Sequence, residues 1–224
     1  MKQQYFAEFI GTFIMVFAGT AAIVVNDINN GVITHLGIAI AFGLVVTGMI
    51  YALGDISGAH INPAVSLAFW MARRFPTNEL LPYVSSQISG AICASLLVYL
   101  LFPDHNGLGA TQPAGTLVQS LLMEIILSFM LMLTIINVAT GAKEKGIMAG
   151  VAIGGVVALC ALFGGPVSGA SMNPARSIGP ALVSGQLTAL WIYIIGPVIG
   201  MGLAILCCRC VREKECCRPS SISH

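Results

Sequence analysis

Two blocks, SGAHINPAVS at 57–66 and SGASMNPARS at 168–177, carry nearly the same wording at an offset of 111 residues, 62 to 173. Each sets serine, asparagine and proline into a stretch that is otherwise apolar. A helix broken at membrane depth strands backbone N–H and C=O groups, each costing several kcal/mol unless a partner is found. Such backbone survives only when it is buried in protein or lines a wet cavity. Two matched breaks therefore constrain the fold more than any other feature of the chain.

The surroundings are those of a membrane protein. Of 224 residues, 57% are hydrophobic and 8% charged, with a mean hydropathy of +0.90. A soluble domain carries about a quarter of its residues charged, so the chain reads as an all-α integral membrane protein. The net charge of +1, with no basic stripe, leaves nothing to dock a nucleic acid. At about 20 residues per crossing, spans fall at 6–25, 36–54, 80–102, 117–139, 146–163 and 187–208. Segments 62–72 and 173–183 are apolar but too short to cross, and each begins at Asn-Pro-Ala. The first apolar run continues to Val25 without a small-residue cleavage site, which predicts a retained span rather than a signal peptide. The linkers are too short for a soluble domain. One domain is expected over 1–208, built of repeats at 1–102 and 117–208, followed by a cysteine-rich basic tail at 209–224.

Charge sets the orientation. Lys2, Arg73, Arg74, Lys143, Lys145, Arg209, Arg212, Lys214 and Arg218, nine of the ten Lys and Arg, fall on one side if the spans alternate. The opposite loops carry Asp27 and Asp104. The positive-inside rule then makes both termini cytoplasmic in a multi-pass cell-membrane protein. Arg176, inside the second break, is the exception.

The repeat extends beyond the breaks. Ala41, Gly43 and Val45 align with Ala152, Gly154 and Val156 at the same offset, and EFIGTFIMVF from Glu8 echoes EIILSFMLML from Glu124. Three spans per repeat is an odd number, so the second copy enters from the opposite face. Inverted repeats with discontinuous helices place a functional site near the midplane, between the halves. Asn followed by Pro is strong helix-start grammar. Asn62-Pro63 and Asn173-Pro174 are thus expected to begin two half-helices whose N-termini meet midway, each equivalent to about half a positive charge. Such a point repels cations, while the two amides donate to a neutral oxygen. The plainer alternative is that both asparagines only cap their helices.

The seven cysteines form no disulfide framework. Cys93 and Cys160 lie in apolar runs. Cys207, Cys208, Cys210, Cys216 and Cys217 crowd the tail, read as reduced juxtamembrane thiols open to S-acylation, with a thiolate site for zinc or a soft metalloid as the alternative. No cofactor or metal is otherwise called for. Small-xxx-small pairs, Ala7/Gly11, Ala39/Gly43, Gly150/Gly154 and Gly196/Gly200, mark close helix approaches. His35 and His105 are assigned to outer loops.

The paired Asn-Pro-Ala blocks over six spans resemble the aquaporin, or major intrinsic protein, family over essentially the whole chain up to the tail. The resemblance implies a right-handed bundle around one pore per subunit and a homotetramer. It implies a pore midpoint at Asn62, Pro63, Ala64, Asn173, Pro174 and Ala175, and a selectivity ring of Phe42, Ala161, Ala170 and Arg176. It also implies that Glu8, Glu124 and His60 support the broken loops. Water-selective members typically carry His at the position of Ala161; alanine at 161 and 170 predicts a wider, partly apolar ring. The wording THLGIAIAFGLVVTGMIYALGDISGAH and FGGPVSGASMNPARSIGPAL is similar to the nodulin-26-like branch and its bacterial relatives. Water, glycerol, urea and the neutral acids of boron and trivalent arsenic are the solutes this implies, with protons and ions excluded. Phe42 stands where plant members often have tryptophan, and Asp55 where many relatives have histidine; Asp55 reads as a solvated vestibule charge. The rival reading is a secondary transporter of a small neutral solute. No Ser/His/Asp or phosphate-cradling arrangement suggests an enzyme.

Overall fold

The structure, a computed structural model, describes residues 2–139 and 147–211. Among these, the elements are α1 (Gln3–Ile28), α2 (Thr34–Ser57), the short α3 (Pro63–Met71), α4 (Thr77–Leu101), α5 (Leu117–Val138), α6 (Ala149–Ser168), the short α7 (Pro174–Ser184) and α8 (Ile192–Val211). Six are long and apolar enough to cross a membrane. The linker with Lys143 and Lys145, and the tail residues Arg212, Lys214, Cys216, Cys217 and Arg218, lie outside the described residues.

The two repeats pack alike. In the first, α1 lies on α2 and α4; in the second, α5 lies on α6 and α8. The half-helices are exchanged between them: α3 packs on α8 of the other repeat as well as on α4, and α7 packs on α4. Glycine lets the crossings close. A Cβ at Gly43 would stand 2.6 Å from the Gly154 carbonyl oxygen, and one at Gly154 would collide with the Gly43 carbonyl. Thr47, one turn on, donates from its hydroxyl to the Gly43 and Gly150 carbonyls at 3.0 and 3.1 Å. Residues such as Val16, Leu127, Met132 and Met201 fill the interior, while Leu36, Leu44, Leu81, Leu100 and Leu206 face outward. An apolar exterior is what lipid as solvent requires.

Several boundaries depart from the sequence expectation. The span placed at 146–163 runs instead from 149 to 168, through Gly164, Gly165 and Pro166. Pro166 has no N–H to give to the carbonyl four residues back, and His35 Nε2 takes its place, donating to Leu162 O at 2.6 Å. His35 is therefore no loop residue; it sits in the first turn of α2 and ties α2 to α6. The last span begins at Ile192 rather than 187, because Gly185 takes a left-handed turn (φ 77°) after α7. It runs to Val211, so the boundary drawn at 208 falls inside the helix. At the N-terminus, Glu79 accepts from Lys2 Nζ (2.7 Å), Gln4 Nε2 (2.7 Å) and Tyr5 OH (2.6 Å), clasping α1 to the first turn of α4. The bond to Glu79 holds the Lys2 ammonium above the ordinary lysine pKa.

Candidate solute pathway

Both half-helices start in the same way. Asn62 is extended (φ −158°) and its Oδ1 accepts from Ala64 N at 2.9 Å and Val65 N at 3.4 Å. Asn173 (φ −150°) accepts from Ala175 N at 3.0 Å and Arg176 N at 3.4 Å. Capping leaves each amide nitrogen free to reach across the repeat boundary. Asn62 Nδ2 donates to Met172 O at 2.8 Å, and Asn173 Nδ2 donates to Ile61 O at 2.9 Å. The reciprocal pair locks the half-helices tip to tip, with two positive dipole ends converging. An amide nitrogen carries two hydrogens, so each asparagine keeps one beyond this lock.

The loops that deliver these asparagines are strained in matched places. Ala59 (φ 46°) and Ile61 (φ 42°) in the first, and Ala170 (φ 43°) and Met172 (φ 53°) in the second, occupy the left-handed region without being glycine. A β-branched residue such as Ile61 adopts that region only under constraint. The constraint is a buried carboxylate behind each loop. Glu8 accepts from Ser57 Oγ (2.7 Å), His60 N (2.9 Å), Ile61 N (2.7 Å) and Gln87 Nε2 (2.8 Å). Glu124 accepts from Ser168 Oγ (2.8 Å), Ser171 N (2.9 Å) and Met172 N (2.8 Å). Two N–H groups of each broken loop are thereby satisfied.

Several partners in these networks carry no sequence signal by themselves. Ser57 and Ser168 Oγ each accept from the second residue on, Ala59 N and Ala170 N. Tyr83 OH donates to Ser57 O at 2.9 Å, and Tyr193 OH to Ser168 O at 2.7 Å. Gln87 and the Thr111–Ser177–Ser171 hydroxyl chain complete the support. The two tyrosines, 83 and 193, stand close to the repeat offset, and that recurrence was the signal available. His60 contributes its main-chain N–H to Glu8; its ring lies beside Ser66 Oγ (3.0 Å) and within 5.3 Å, centroid to centroid, of Phe69, Phe75 and Tyr83.

A cavity of about 770 Å³ is lined from Tyr51 and Asp55, past both asparagines, to Arg176. Tyr51, Asp55 and Ile147 line it toward the face that carries both termini, here the terminal face. Asn62 and Asn173 line its middle, and Phe42, Ala161, Ala170 and Arg176 line it toward the opposite face. The three-residue blocks are thus divided: the asparagines face the void, whereas Pro63, Ala64, Pro174 and Ala175 are buried in the first turns of α3 and α7 and are not among the lining residues.

Arg176 is 2% exposed. Its Nη1 donates to Gly109 O at 2.8 Å, and its guanidinium carbon lies 5.1 Å from the Phe42 ring centroid, a cation–π distance. Its Nε has no partner among the described residues. Phe42 is seated against α1 at Gly19, where a Cβ would overlap the ring. Alanine at 161 and 170 leaves the facing walls without bulk or donors. The arrangement offers hydrogen bonds at the middle and at the Arg176 end of a passage whose remaining walls are mainly apolar. That suits a small uncharged molecule that must shed water on the way.

Comparison with known proteins agrees. The family model described as major intrinsic protein matches residues 1–207. The chain is 51% identical over 199 residues to Aquaporin NIP1-1 of Zea mays, covering 88% of this chain and 71% of that one. It is 47% identical over 199 residues to Nodulin-26 of Glycine max, covering 88% and 73%. An X-ray structure of the aquaglyceroporin from Plasmodium falciparum shares the fold with a TM-score of 0.78 at 24% identity, over 90% of this chain and 93% of that one. With its halves locked at their tips beside the solute cavity, the chain belongs to the major intrinsic protein family, and it is a passive membrane channel, not an enzyme, for water and small neutral solutes.

Proposed function

We propose that the channel conducts small uncharged hydroxylated or amide solutes, of the size of glycerol, urea, boric acid and arsenous acid, alongside water, and turns back protons and ions. The observation that carries this is the composition of the end of the cavity away from the termini. Ala161 and Ala170 leave it open where a bulky donor would narrow it, Phe42 supplies an apolar wall, and Arg176 supplies donors. In this reading Phe42, Ala161, Ala170 and Arg176 form the selectivity ring, and Asn62 and Asn173 the midpoint. Glu8, Glu124 and His60 hold the loops.

The protein works as a homotetramer in the cell membrane, as its family resemblance implies. The terminal face is cytoplasmic, supported by the nine Lys and Arg assigned to that side. A coupled secondary transporter is the competing reading. It needs ion-binding groups in the passage, and the two membrane-buried carboxylates, Glu8 and Glu124, are instead occupied by the loops.

Stopped-flow measurements on proteoliposomes decide between them. Glycerol and urea flux should rise linearly with concentration and ignore an imposed proton or sodium gradient. Ala161→His, which fills the open wall, should lower the glycerol-to-water permeability ratio by roughly tenfold, the scale of about 1.4 kcal/mol of steric barrier. Saturating, gradient-driven flux would establish a carrier, and an unchanged ratio in Ala161→His would remove residue 161 from the ring.

A further inference from the structure

The selectivity ring has a mirror image in the other repeat. At the same 111-residue offset that relates Asn62 to Asn173, Phe42 corresponds to Ile153, Ala161 to Ile50, Ala170 to Ala59 and Arg176 to Val65. All four counterparts line the same cavity. The structure supports the correspondence at each level. Gly43 and Gly154, next to Phe42 and Ile153, approach one another's carbonyls reciprocally. Ala59 and Ala170 share the same left-handed backbone, φ 46° and 43°. Val65 N and Arg176 N each donate to their own cap asparagine at 3.4 Å.

The half-helices point opposite ways, so the mirrored set lies on the terminal side of the asparagines, one helical turn from Asn62 at Val65. Its chemistry is opposite to that of the first ring. Isoleucine, isoleucine, valine and alanine present no side-chain donor or acceptor, and two large aliphatics replace one small and one aromatic wall. His60 also lines this half: its Nδ1 is engaged with Ser66 Oγ and its ring stacks on Phe69, while its Nε2 has no hydrogen-bond partner among the described residues and stands outside the four-residue set.

We propose that Ile50, Val65 and Ile153, with Ala59, form a second, donor-free constriction on the terminal side that slows water more than it slows carbon-bearing solutes. The inference rests on the pore reading above. A file of water crossing an apolar ring gives up hydrogen bonds that no side chain returns, and hydrophobic constrictions restrict flow by dewetting. A polyol or urea meets the same ring with its apolar surface and keeps its partners ahead and behind. Solute preference is then set twice: by the width and donors of the Arg176 ring, and by the lack of donors at its mirror image.

The test is water and glycerol permeability of vesicles carrying Val65→Thr, Val65→Ala or Ile153→Thr, normalised to protein content. Threonine matches valine in shape and adds a hydroxyl, so Val65→Thr should raise the water-to-glycerol ratio about fivefold, the scale of one restored hydrogen bond. Ile153→Thr should move the ratio the same way, providing a second site if one variant folds poorly. Val65→Ala adds space without a hydroxyl and should raise both fluxes with little change in ratio. If the threonine variants leave the ratio within twofold of wild type, or if Val65→Ala shifts it as much as Val65→Thr, the second constriction is refuted while the channel stands. If wild-type vesicles pass neither solute faster than protein-free ones, the pore reading fails and the constriction with it.

Discussion

In the first repeat the third residue after the loop asparagine is Val65; in the second it is Arg176. Everything behind those two positions is nearly interchangeable. A carboxylate from the repeat's first helix collects the loop N–H groups, a serine caps the second residue on, and a tyrosine holds the serine carbonyl. What differs is what faces the void. The second repeat offers a guanidinium braced by Gly109 and Phe42, and the first offers aliphatic carbon. The scaffold obeys the pseudo-symmetry because hydrocarbon penalises any stranded backbone group equally in both halves. The lining is free to depart from it, and that departure gives the two ends of the passage different chemistry.

Breaking the scaffold should have the largest effect. Glu8→Ala orphans the N–H groups of residues 60 and 61, and Glu124→Ala those of residues 171 and 172. At about 1–3 kcal/mol per buried group left unpaired, each change should cost about 2–6 kcal/mol. Thermal unfolding in detergent reads this directly. Comparable losses in the two variants would show that the repeats are equally dependent on their carboxylates. Loss in only one would show that the other loop is held by something else, with Gln87, which has no counterpart among the Glu124 partners, the first suspect.

Removing the asymmetry should have a smaller effect on stability and a clear one on selectivity. Arg176→Val makes the second repeat resemble the first at this position. Without the desolvated positive charge, cation leak should rise by roughly tenfold for each 1.4 kcal/mol of barrier the guanidinium supplied. Ion conductance of planar bilayers gives the number. Leak at the wild-type level would mean that the dipole ends and asparagines exclude cations unaided.

Much of this was readable from residues. The paired blocks, their offset, the six spans and the inverted entry follow from apolar run lengths and an odd span count, and the described residues form the eight helices these imply. What escaped depended on contacts far apart in the chain. Helix α6 passes through Pro166 because His35, 127 residues away, serves the carbonyl that proline leaves free; no local rule extends a helix through Gly-Gly-Pro. Ser57 and Ser168 open the two matched blocks, but the repeat does not say what they do until Glu8 and Glu124 are seen behind them. The clasp of Lys2, Gln4 and Tyr5 on Glu79 joins residues that no spacing relates. The division of Asn-Pro-Ala into a lining asparagine and a buried first turn likewise emerges only once the half-helix is packed.

The central claim is that two capped half-helices meet at Asn62 and Asn173, so that a neutral molecule passes while charge is turned back. Proton flux recorded in the same vesicles as osmotic water flux tests it most directly. Water permeability should climb in proportion to protein content while the proton leak stays at the level of protein-free lipid. A proton leak that climbs in step with the water would contradict it.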